Sequence, residues 1–255
     1  MQTAVSRSTG SRITRGAMLC FMVAALLMGT RSATLAQAGD VWGWGNNSYG
    51  QLGDGTYTAR YSPVQPSGIT GMAQVATGWY HSLALKSDGT VWAWGYDYYG
   101  QLGDGNGTDT TRNTPGQVTG LADAGGNYFY MTQVAAGQVH SLALRADGTV
   151  WAWGNNVYGQ LGDGTYTTRD TPAQVSGMRN IVQIAVQGYY SSGINSLAVK
   201  SDGTVWGWGY NYGSVPTRLP GLSNIVQVAG GGRRYLLLLG RMEPFGHGER
   251  TTTGN

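Results

Sequence analysis

One short phrase recurs four times along the chain and limits the fold more than any other feature. The phrase VW(G/A)WG begins at Val41, Val91, Val150 and Val205, and the first tryptophans of successive copies are 50, 59 and 55 residues apart. Eight of the nine tryptophans fall within this phrase, so we interpret them as structural. A period near 50 residues with strand-like content is typical of a β-propeller.

The last three copies of the phrase each follow an apolar segment and an Asp-Gly dipeptide, as in SLALKSDGTVWAWG (82–95). Asp-Gly favours a two-residue hairpin turn. A two-residue turn places Leu85 opposite Trp92. Two residues further from the turn, it places Leu83 opposite Trp94. We therefore predict one bulky face per hairpin, carrying both leucines and both tryptophans, and one small face of alanines. Sheets stacked bulky face on small face around an axis bury both faces.

The phrase continues into loops such as GNNSYGQLGDGT (45–56), which are rich in turn-forming residues. We interpret Asp54, Asp104 and Asp163 as turn and capping residues. The segment lacks the alternating oxygen ligands and terminal glutamate of an EF-hand. We therefore expect neither a metal nor a cofactor.

The first 38 residues have a different composition. Arginines precede an apolar run at 17–29 that is too short to span a bilayer, and Ala36-Gln37-Ala38 provides small residues for cleavage. We predict a signal peptide over 1–38, with a mature protein that is secreted, periplasmic or at the cell surface and has no membrane span. That segment holds four arginines and no acids, which leaves 12 basic and 13 acidic side chains and no basic surplus for nucleic acid. The single cysteine, Cys20, also lies there.

The segments GWYHSLALKSDGTVWAWGYDYYGQLGDG (78–105) and GQVHSLALRADGTVWAWGNNVYGQLGDG (137–164) resemble the regulator of chromosome condensation repeat family, and the export signal suggests a secreted bacterial type. The resemblance covers about 39–239 and implies an all-β β-propeller, which this family typically builds with seven blades. We delimit repeats at about 39–90, 91–149, 150–204 and 205–239, followed by a tail, 240–255, that matches nothing in the repeat.

The repeats near the carboxyl end depart from the pattern. Repeat three has Asn195 where His81 and His140 stand, and repeat four lacks the QLGDGT block. Together the segments make about four blades. The first strand, DVWGWG, and the last, YLLLL, form one split blade if Leu236 and Leu238 pair with Trp44 and Trp42. Blades shaped for a seven-membered ring leave four blades open, so we expect an incomplete ring or open arc. Its exposed end blades favour self-association, or the chain is a fragment of a larger propeller.

Catalytic signals are weak. His81 and His140 occupy equivalent repeat positions, so we expect them to hydrogen-bond loop backbone in successive blades. The standard hydrolase, zinc-protease and phosphate-loop motifs do not occur. We therefore predict a protein that is not an enzyme. The family's namesake promotes nucleotide exchange on a nuclear GTPase, an activity that we consider less favoured for an exported chain.

The remaining interpretation is a scaffold for protein–protein recognition through loops at one end, with a structural cell-surface repeat protein as the alternative. The two positions before each SLAL strand vary between repeats, and tyrosine, tryptophan and arginine are frequent in binding hot spots. A second aromatic group lies in the repeat-two insertion. If these loops do not bind, we expect the site on the opposite face, around Asn47, Tyr98 and Asn156. The predicted contact residues are Trp79, Tyr80, Tyr189, Tyr190 and Arg233, with Tyr128, Phe129 and Tyr130 as the second group.

Overall fold

The computed structural model describes residues 39–107, 110–123, 125–189, 193–230 and 236–240, and their regular structure consists of strands. In this part of the chain no helix is long and apolar enough to cross a membrane. The strands are β1 (Gly43–Gly45), β2 (Arg60–Val64), β3 (Met72–Thr77), β4 (His81–Lys86), β5 (Val91–Gly95), β6 (Arg112–Gln117), β7 (Met131–Ala136), β8 (His140–Arg145), β9 (Val150–Gly154), β10 (Arg169–Gln174), β11 (Ile181–Tyr189), β12 (Gly193–Lys200), β13 (Val205–Gly209), β14 (Gly213–Arg218), β15 (Ile225–Gly230) and β16 (Leu236–Gly240).

The described strands form three complete antiparallel sheets and two half-sheets. The complete sheets are β3–β6, β7–β10 and β11–β14, and each is a four-stranded meander. The two-stranded sheets are β1–β2 at one end of the chain and β15–β16 at the other. The sequence repeat and the sheet are out of phase, because a repeat such as 91–149 contains the last two strands of one sheet and the first two of the next. This is the expected all-β, propeller-like arrangement.

The hairpin register differs from the prediction by one residue. Leu85 pairs with Val91 and Ala84 with Trp92, and the equivalent pairs recur in the other two complete sheets. The connection is a three-residue loop in which Lys86 N donates to Thr90 O at 2.9 Å. Gly89 closes that loop with a φ of 84°, a conformation that a side chain disfavours. A slip of one residue reverses the face of every side chain, so the prediction that leucines and tryptophans share a face was wrong.

The corrected faces explain how the sheets pack. Leu83 and Leu85 of the first complete sheet lie in one core with Ala143 and Trp153 of the second. The core between the second and third sheets has the same composition. Each junction therefore buries the aliphatic face of one sheet against the tryptophan-and-alanine face of the next. Both faces are buried, as predicted, but the tryptophans pack on the preceding sheet and not beside their own leucines.

A glutamine side chain also joins each pair of neighbouring sheets. Gln133 Nε2 donates to Ile184 O at 3.0 Å, and its Oε1 accepts from Ile184 N at 2.8 Å. Gln74 makes the same two bonds to Val134 of the next sheet, and Gln183 makes them to Val228. The side-chain amide thus behaves as one residue of a neighbouring strand. Three identical junctions give successive sheets a repeated relative placement.

The two half-sheets stay separate. Strand β1 pairs with β2, and β16 pairs with β15, so the split blade does not form among the described strands. Trp44 is 51% exposed, whereas the equivalent Trp94 is 2% exposed. The reason is that no sheet precedes β1 in the described chain to cover its tryptophan face.

Candidate interaction surface

The loops that the sequence assigned to opposite faces lie at the same end of the sheets. His81, at the start of β4, pairs with Gly95, at the end of β5. Tyr96 N donates to Tyr80 O at 2.8 Å across this pair. The placement of Tyr98 on the opposite face was therefore wrong, because antiparallel pairing brings the start of one strand to the end of its neighbour. We call this end the loop face, and the end that carries the Asp-Gly turns the turn face.

Asn47 and Asn156, the other residues expected on an alternative surface, are buried. Asn47 Oδ1 accepts from Leu52 N at 2.9 Å, and its Nδ2 donates to Thr56 O at 3.0 Å. Asn156 makes the equivalent bonds in its own repeat. Both side chains hold their loops together and are inaccessible to a partner.

Six aromatic rings form a continuous patch on the loop face. Trp79 stacks on Tyr80, with centroids 5.0 Å apart and 13° between the planes. Tyr80 in turn contacts Tyr49 at 4.6 Å. The rings of Tyr49 and Tyr80 both contact Tyr96, which stacks on Tyr98. Trp79 is 43% exposed and Tyr98 is 49% exposed. This aromatic patch consists of Tyr49, Trp79, Tyr80, Tyr96, Tyr98 and Tyr99.

The patch is a local feature and not a property of every repeat. The next sheet carries Gln138 and Val139 where Trp79 and Tyr80 stand. Val139 is buried at 4% exposure, so the fold accepts a small apolar residue there. The sequence identified Trp79 and Tyr80 but missed their four tyrosine neighbours. The run YDYY (96–99) was the available signal, and the pairing of β4 with β5 would have placed it beside them.

The tyrosine at position 96 removes the hydrogen-bond partner of a buried amide donor, Gln101 Nε2. In neighbouring repeats an asparagine stands at this position, and Asn155 Oδ1 accepts from Gln160 Nε2 at 2.7 Å. Gln101 is the equivalent of Gln160, is fully buried and has no partner for its Nε2. Asn155 Nδ2 is itself buried without a partner, so each of these two repeats leaves one amide donor unpaired and they differ in which side chain carries it. The second repeat thus departs from the pairing that its neighbours use.

Asp97, beside Tyr96, is a second departure. It is buried where the neighbouring repeats have Asn47 and Asn156. Burial raises its pKa to about 6, although hydrogen bonds from Leu102 N and the Thr110 hydroxyl favour the charged form. The carboxylate thus loses its solvation and stands where the other repeats place a neutral amide.

The Tyr128–Tyr130 group lies on the turn face, at the other end from the aromatic patch. Tyr130 donates its hydroxyl to Ser87 O at 3.1 Å, next to the Asp-Gly turn of the preceding sheet. Phe129 packs on Trp151 with centroids 5.2 Å apart, and the guanidinium carbon of Arg145 lies 4.0 Å from its ring centroid. Tyr128 is 56% exposed. These three residues therefore do not form one surface with Trp79 and Tyr80.

Of the other predicted contact residues, the structure describes the backbone of Tyr189 alone. The backbone of Tyr189 ends β11, where it pairs with Gly193 at the loop-face end of the third complete sheet. Tyr190 and Arg233 lie outside the described residues.

The two repeat histidines lie between sheets and contact a serine. His140 Nε2 lies 2.9 Å from Ser196 Oγ of the next sheet, and that hydroxyl donates to Gln160 O at 2.8 Å. The histidine is therefore the donor to the serine oxygen and carries its proton on Nε2. His81 makes the same contact with Ser141 at 3.1 Å. The expected bond from these side chains to loop backbone was wrong, because the serine of the next sheet occupies that position.

Burial governs the charge of both histidines. It lowers the pKa of His81 to about 4 and that of His140 to about 3, with a small further effect of His81 on His140. Neutral imidazoles are thus part of the junctions between sheets. A buried serine that donates to a carbonyl is poorly placed to act as a nucleophile, which requires its proton to be taken by the histidine.

Each of the three loop aspartates pairs with an arginine, and Asp54 and Asp163 also accept from a threonine hydroxyl. Asp54 Oδ2 accepts from Arg60 Nε at 2.6 Å, and its Oδ1 accepts from the Thr56 hydroxyl at 2.7 Å. Asp163 pairs with Arg169 at 2.5 Å, and Asp104 pairs with Arg112. Burial opposes ionisation of Asp54, but the bonds from Thr56 and Arg60 outweigh it and lower the pKa. Within the described ranges, no group of three or more potential metal ligands comes together.

Comparisons with known proteins agree with this architecture. The family model described as the regulator of chromosome condensation (RCC1) repeat matches residues 38–85, 88–144 and 147–193, which is more than half of the chain. The chain belongs to the RCC1 repeat family. A second RCC1 repeat model matches 72–101 and 131–160, the segments around two of the inner hairpins. The crystal structure of human WBSCR16 is similar, with a TM-score of 0.65 and 28% identity over 79% of this chain and 55% of that one.

Two curated proteins show the range of chains that carry this repeat. The ultraviolet-B receptor UVR8 of Arabidopsis thaliana is 32% identical over 182 residues, or 70% of this chain and 39% of that protein. The human E3 ubiquitin-protein ligase HERC2 is 34% identical over 186 residues, 71% of this chain and 4% of that protein. This chain thus spans well under half of these relatives.

Proposed function

We propose that this RCC1 repeat protein is an exported, non-enzymatic scaffold that binds a protein partner through the aromatic patch on its loop face. The observation that carries the proposal is the patch itself: six rings in mutual contact, with Trp79 and Tyr98 close to half exposed. Large rigid aromatic side chains dominate binding hot spots because they bury much surface at low entropic cost. Large exposed apolar patches rimmed by polar residues mark protein–protein interaction sites.

The departure of this loop from the neighbouring repeats supports a role of the patch outside folding. Tyr96 leaves Gln101 Nε2 unpaired, and Asp97 buries a carboxylate where the neighbouring repeats have asparagine. Proteins tend to depart from local stability rules at functional sites. Both departures lie in the one loop that supplies half of the patch.

The absence of catalysis is part of the proposal. The His140–Ser196 pair has the distance of a nucleophile and its base, but both residues are fully buried between two sheets. The Ser196 hydroxyl donates to the Gln160 carbonyl and not to the imidazole. These features support a structural role for the pair.

Export is supported by the sequence of residues 1–38, with arginines, a short apolar run and Ala36-Gln37-Ala38. An N-terminus at or near Gly39, measured by mass spectrometry of protein from the native host, is the expected result. Protein that retains Met1 in the cytoplasm would contradict export.

The neighbouring repeats supply fold-compatible variants for a test of the patch. The combination Trp79→Gln, Tyr80→Val and Tyr98→Val installs the residues found at 138, 139 and 157. Benzoylphenylalanine placed at Tyr49 in the native host should give a reproducible protein adduct on irradiation, and the triple variant should abolish it. Thermal unfolding should change little, because the second complete sheet already carries these residues at the equivalent positions.

Benzoylphenylalanine at Tyr166 is a matched control, since Tyr166 is 61% exposed but lies outside the patch. It should give no adduct that depends on Trp79. An adduct at Tyr49 that survives the triple variant, or no adduct at all, would place the binding surface elsewhere. A triple variant that unfolds would assign the rings to packing.

A further inference from the structure

We infer that strand β16 of one copy of the chain pairs with strand β1 of a second copy, so that two half-sheets join into one complete blade. The two half-sheets correspond to different halves of a complete four-stranded sheet. Strand β1 is formed by the last three residues of the VWGWG phrase (41–45) and pairs with β2, as β5 pairs with β6 in a complete sheet. Strands β15 and β16 correspond to β3 and β4, the first two strands. Each half-sheet supplies the strands that the other lacks.

The backbone register of β16 defines the pairing. Gln74 pairs with Leu85 in a complete sheet, and its equivalent Gln227 pairs with Leu239. Leu239 therefore takes the position of Leu85, which faces the first residue of the tryptophan phrase, Val91.

Transferred to the VWGWG phrase (41–45) of the second copy, which includes β1 and the two residues before it, this register places Leu239 opposite Val41. The following pairs are Leu238 opposite Trp42 and Leu236 opposite Trp44. The two strands thus meet through apolar residues alone, without a charge or a proline to oppose edge-to-edge pairing.

The exposure of the two edges agrees with a missing neighbour. Leu239 is 58% exposed, whereas Leu85 is 3% exposed. Trp44 is 51% exposed, while its equivalents Trp94, Trp153 and Trp208 are each at most 2% exposed. Trp42 is 53% exposed, whereas its equivalents are partly buried (Trp92, Trp151 and Trp206). In the joined pair, the aliphatic face of the partner's third complete sheet covers these tryptophans, as each sheet covers the next within the chain.

A second copy fits these edges better than the chain's own other end. Three complete sheets separate the two half-sheets, and the structure does not pair β1 with β16. Closing four blades on themselves needs a turn of ~90° at each junction, whereas two copies paired reciprocally make eight blades with a turn of ~45°, nearer to the ~51° of a seven-bladed ring. Reciprocal pairing also gives a closed twofold dimer, the commonest form of assembly.

Two single-cysteine variants separate these cases. In a Cys20→Ser background, one preparation carries Val41→Cys and the other carries Leu239→Cys. The equivalent pair, Leu85 and Val91, lies next to the hydrogen-bonded pair Lys86 and Thr90 and is therefore not hydrogen-bonded. The Cα atoms of such pairs are about 4.5 Å apart, within disulfide range. Mixing the variants under oxidised glutathione should give a disulfide-linked dimer, which can arise only between copies.

Leu238→Cys is the register control, because its side chain points to the other face and should link poorly to Val41→Cys. A double variant, Val41→Cys with Leu239→Cys, that forms a linked monomer while the mixture stays unlinked would show closure within one chain and overturn the inference. No linkage in either preparation would overturn it as well, since another segment or solvent would then cover the edges.

A variant without cysteine gives an independent measurement. Leu239→Lys changes an exposed residue in the single chain but places a charge inside the joined blade. The molecular mass by light scattering should fall from that of a dimer to that of a monomer, with association at least tenfold weaker. Tyr61→Lys, on the outer strand β2 and 97% exposed, should leave the dimer mass unchanged. A monomeric mass for the unaltered chain at all concentrations would contradict the inference.

Discussion

At the scale of single residues, the buried neutral histidines make the free energy of unfolding depend on pH. The pKa of His140 is lowered to about 3 from 6.5. The unfolded chain therefore takes up a proton near pH 6.5, while the folded chain does not until the pH is much lower. The free energy of unfolding is therefore highest above pH 6.5 as far as His140 is concerned. It falls as the pH is lowered, by as much as about 3 kcal/mol between pH 7 and pH 4.

We predict that His140→Asn reduces this pH dependence. Asn195 occupies the equivalent position in the third complete sheet, so asparagine fits the site. Urea unfolding at pH 7 and pH 4 should show a smaller loss of unfolding free energy for the variant than for the unaltered chain. Asp97 titrates in the same range with the opposite sign, but it is common to both proteins and cancels in the difference. Equal pH dependence of the two proteins would contradict the neutral state of His140.

The pH dependence that Asp97 contributes to the free energy of unfolding has the opposite sign to that of His140. Its pKa is raised to about 6 by burial, so the folded chain resists its ionisation and loses stability as the pH rises from about 4 to 6. Asp97→Asn should raise the free energy of unfolding by about 2 kcal/mol at pH 7.5 and by much less at pH 4. The reciprocal change, Asn156→Asp, should destabilise the chain at pH 7.5. A stabilisation by Asp97→Asn that is the same at both pH values would show that ionisation is not its cause.

Between strands of neighbouring sheets, the glutamine side chains make two hydrogen bonds to the backbone at each junction. Gln133→Ala leaves the N–H and C=O of Ile184 without these partners. We predict a loss of about 2–3 kcal/mol in the free energy of unfolding, measured with denaturant. Gln174→Ala, on the outer strand of the same sheet where the side chain is exposed, is the matched control and should change stability by less than about 0.5 kcal/mol. Similar losses in both variants would remove the special role of Gln133.

For the chain as a whole, stability is distributed along a row of sheets that contact their neighbours. Such repeat arrays unfold from their ends, because terminal units have one interface where inner units have two. We predict that the backbone amides of β1–β2 and β15–β16 exchange with deuterium faster than those of β7–β10, measured by native-state exchange on dilute protein. Raising the protein concentration should slow exchange in the end sheets alone if copies join there. Uniform protection in dilute protein would show that the ends are already covered.

The aromatic patch shows how far sequence carried the candidate site. The variable positions before each SLAL strand identified Trp79 and Tyr80, which lie in the patch. Their tyrosine neighbours needed knowledge of which loops share an end of the sheet, and Tyr98 was assigned to the wrong face. Phe129 had a suitable residue type, but its ring packs on Trp151 and leaves it less available to a partner. Composition identifies aromatic candidates, while their neighbours decide whether they are exposed together.

The sequence by itself determined the family, the all-β class, the propeller-like stacking and the positions of the hairpin turns. Each of these follows from a local pattern that recurs about every 50 residues. The tertiary structure alone decided the hairpin register, because Asp-Gly is compatible with loops of two or three residues that differ only in the face of each side chain. It also decided the partners of His81 and His140 and the separation of the two end half-sheets. These depend on contacts between residues roughly 50 positions or more apart, which a local pattern does not encode.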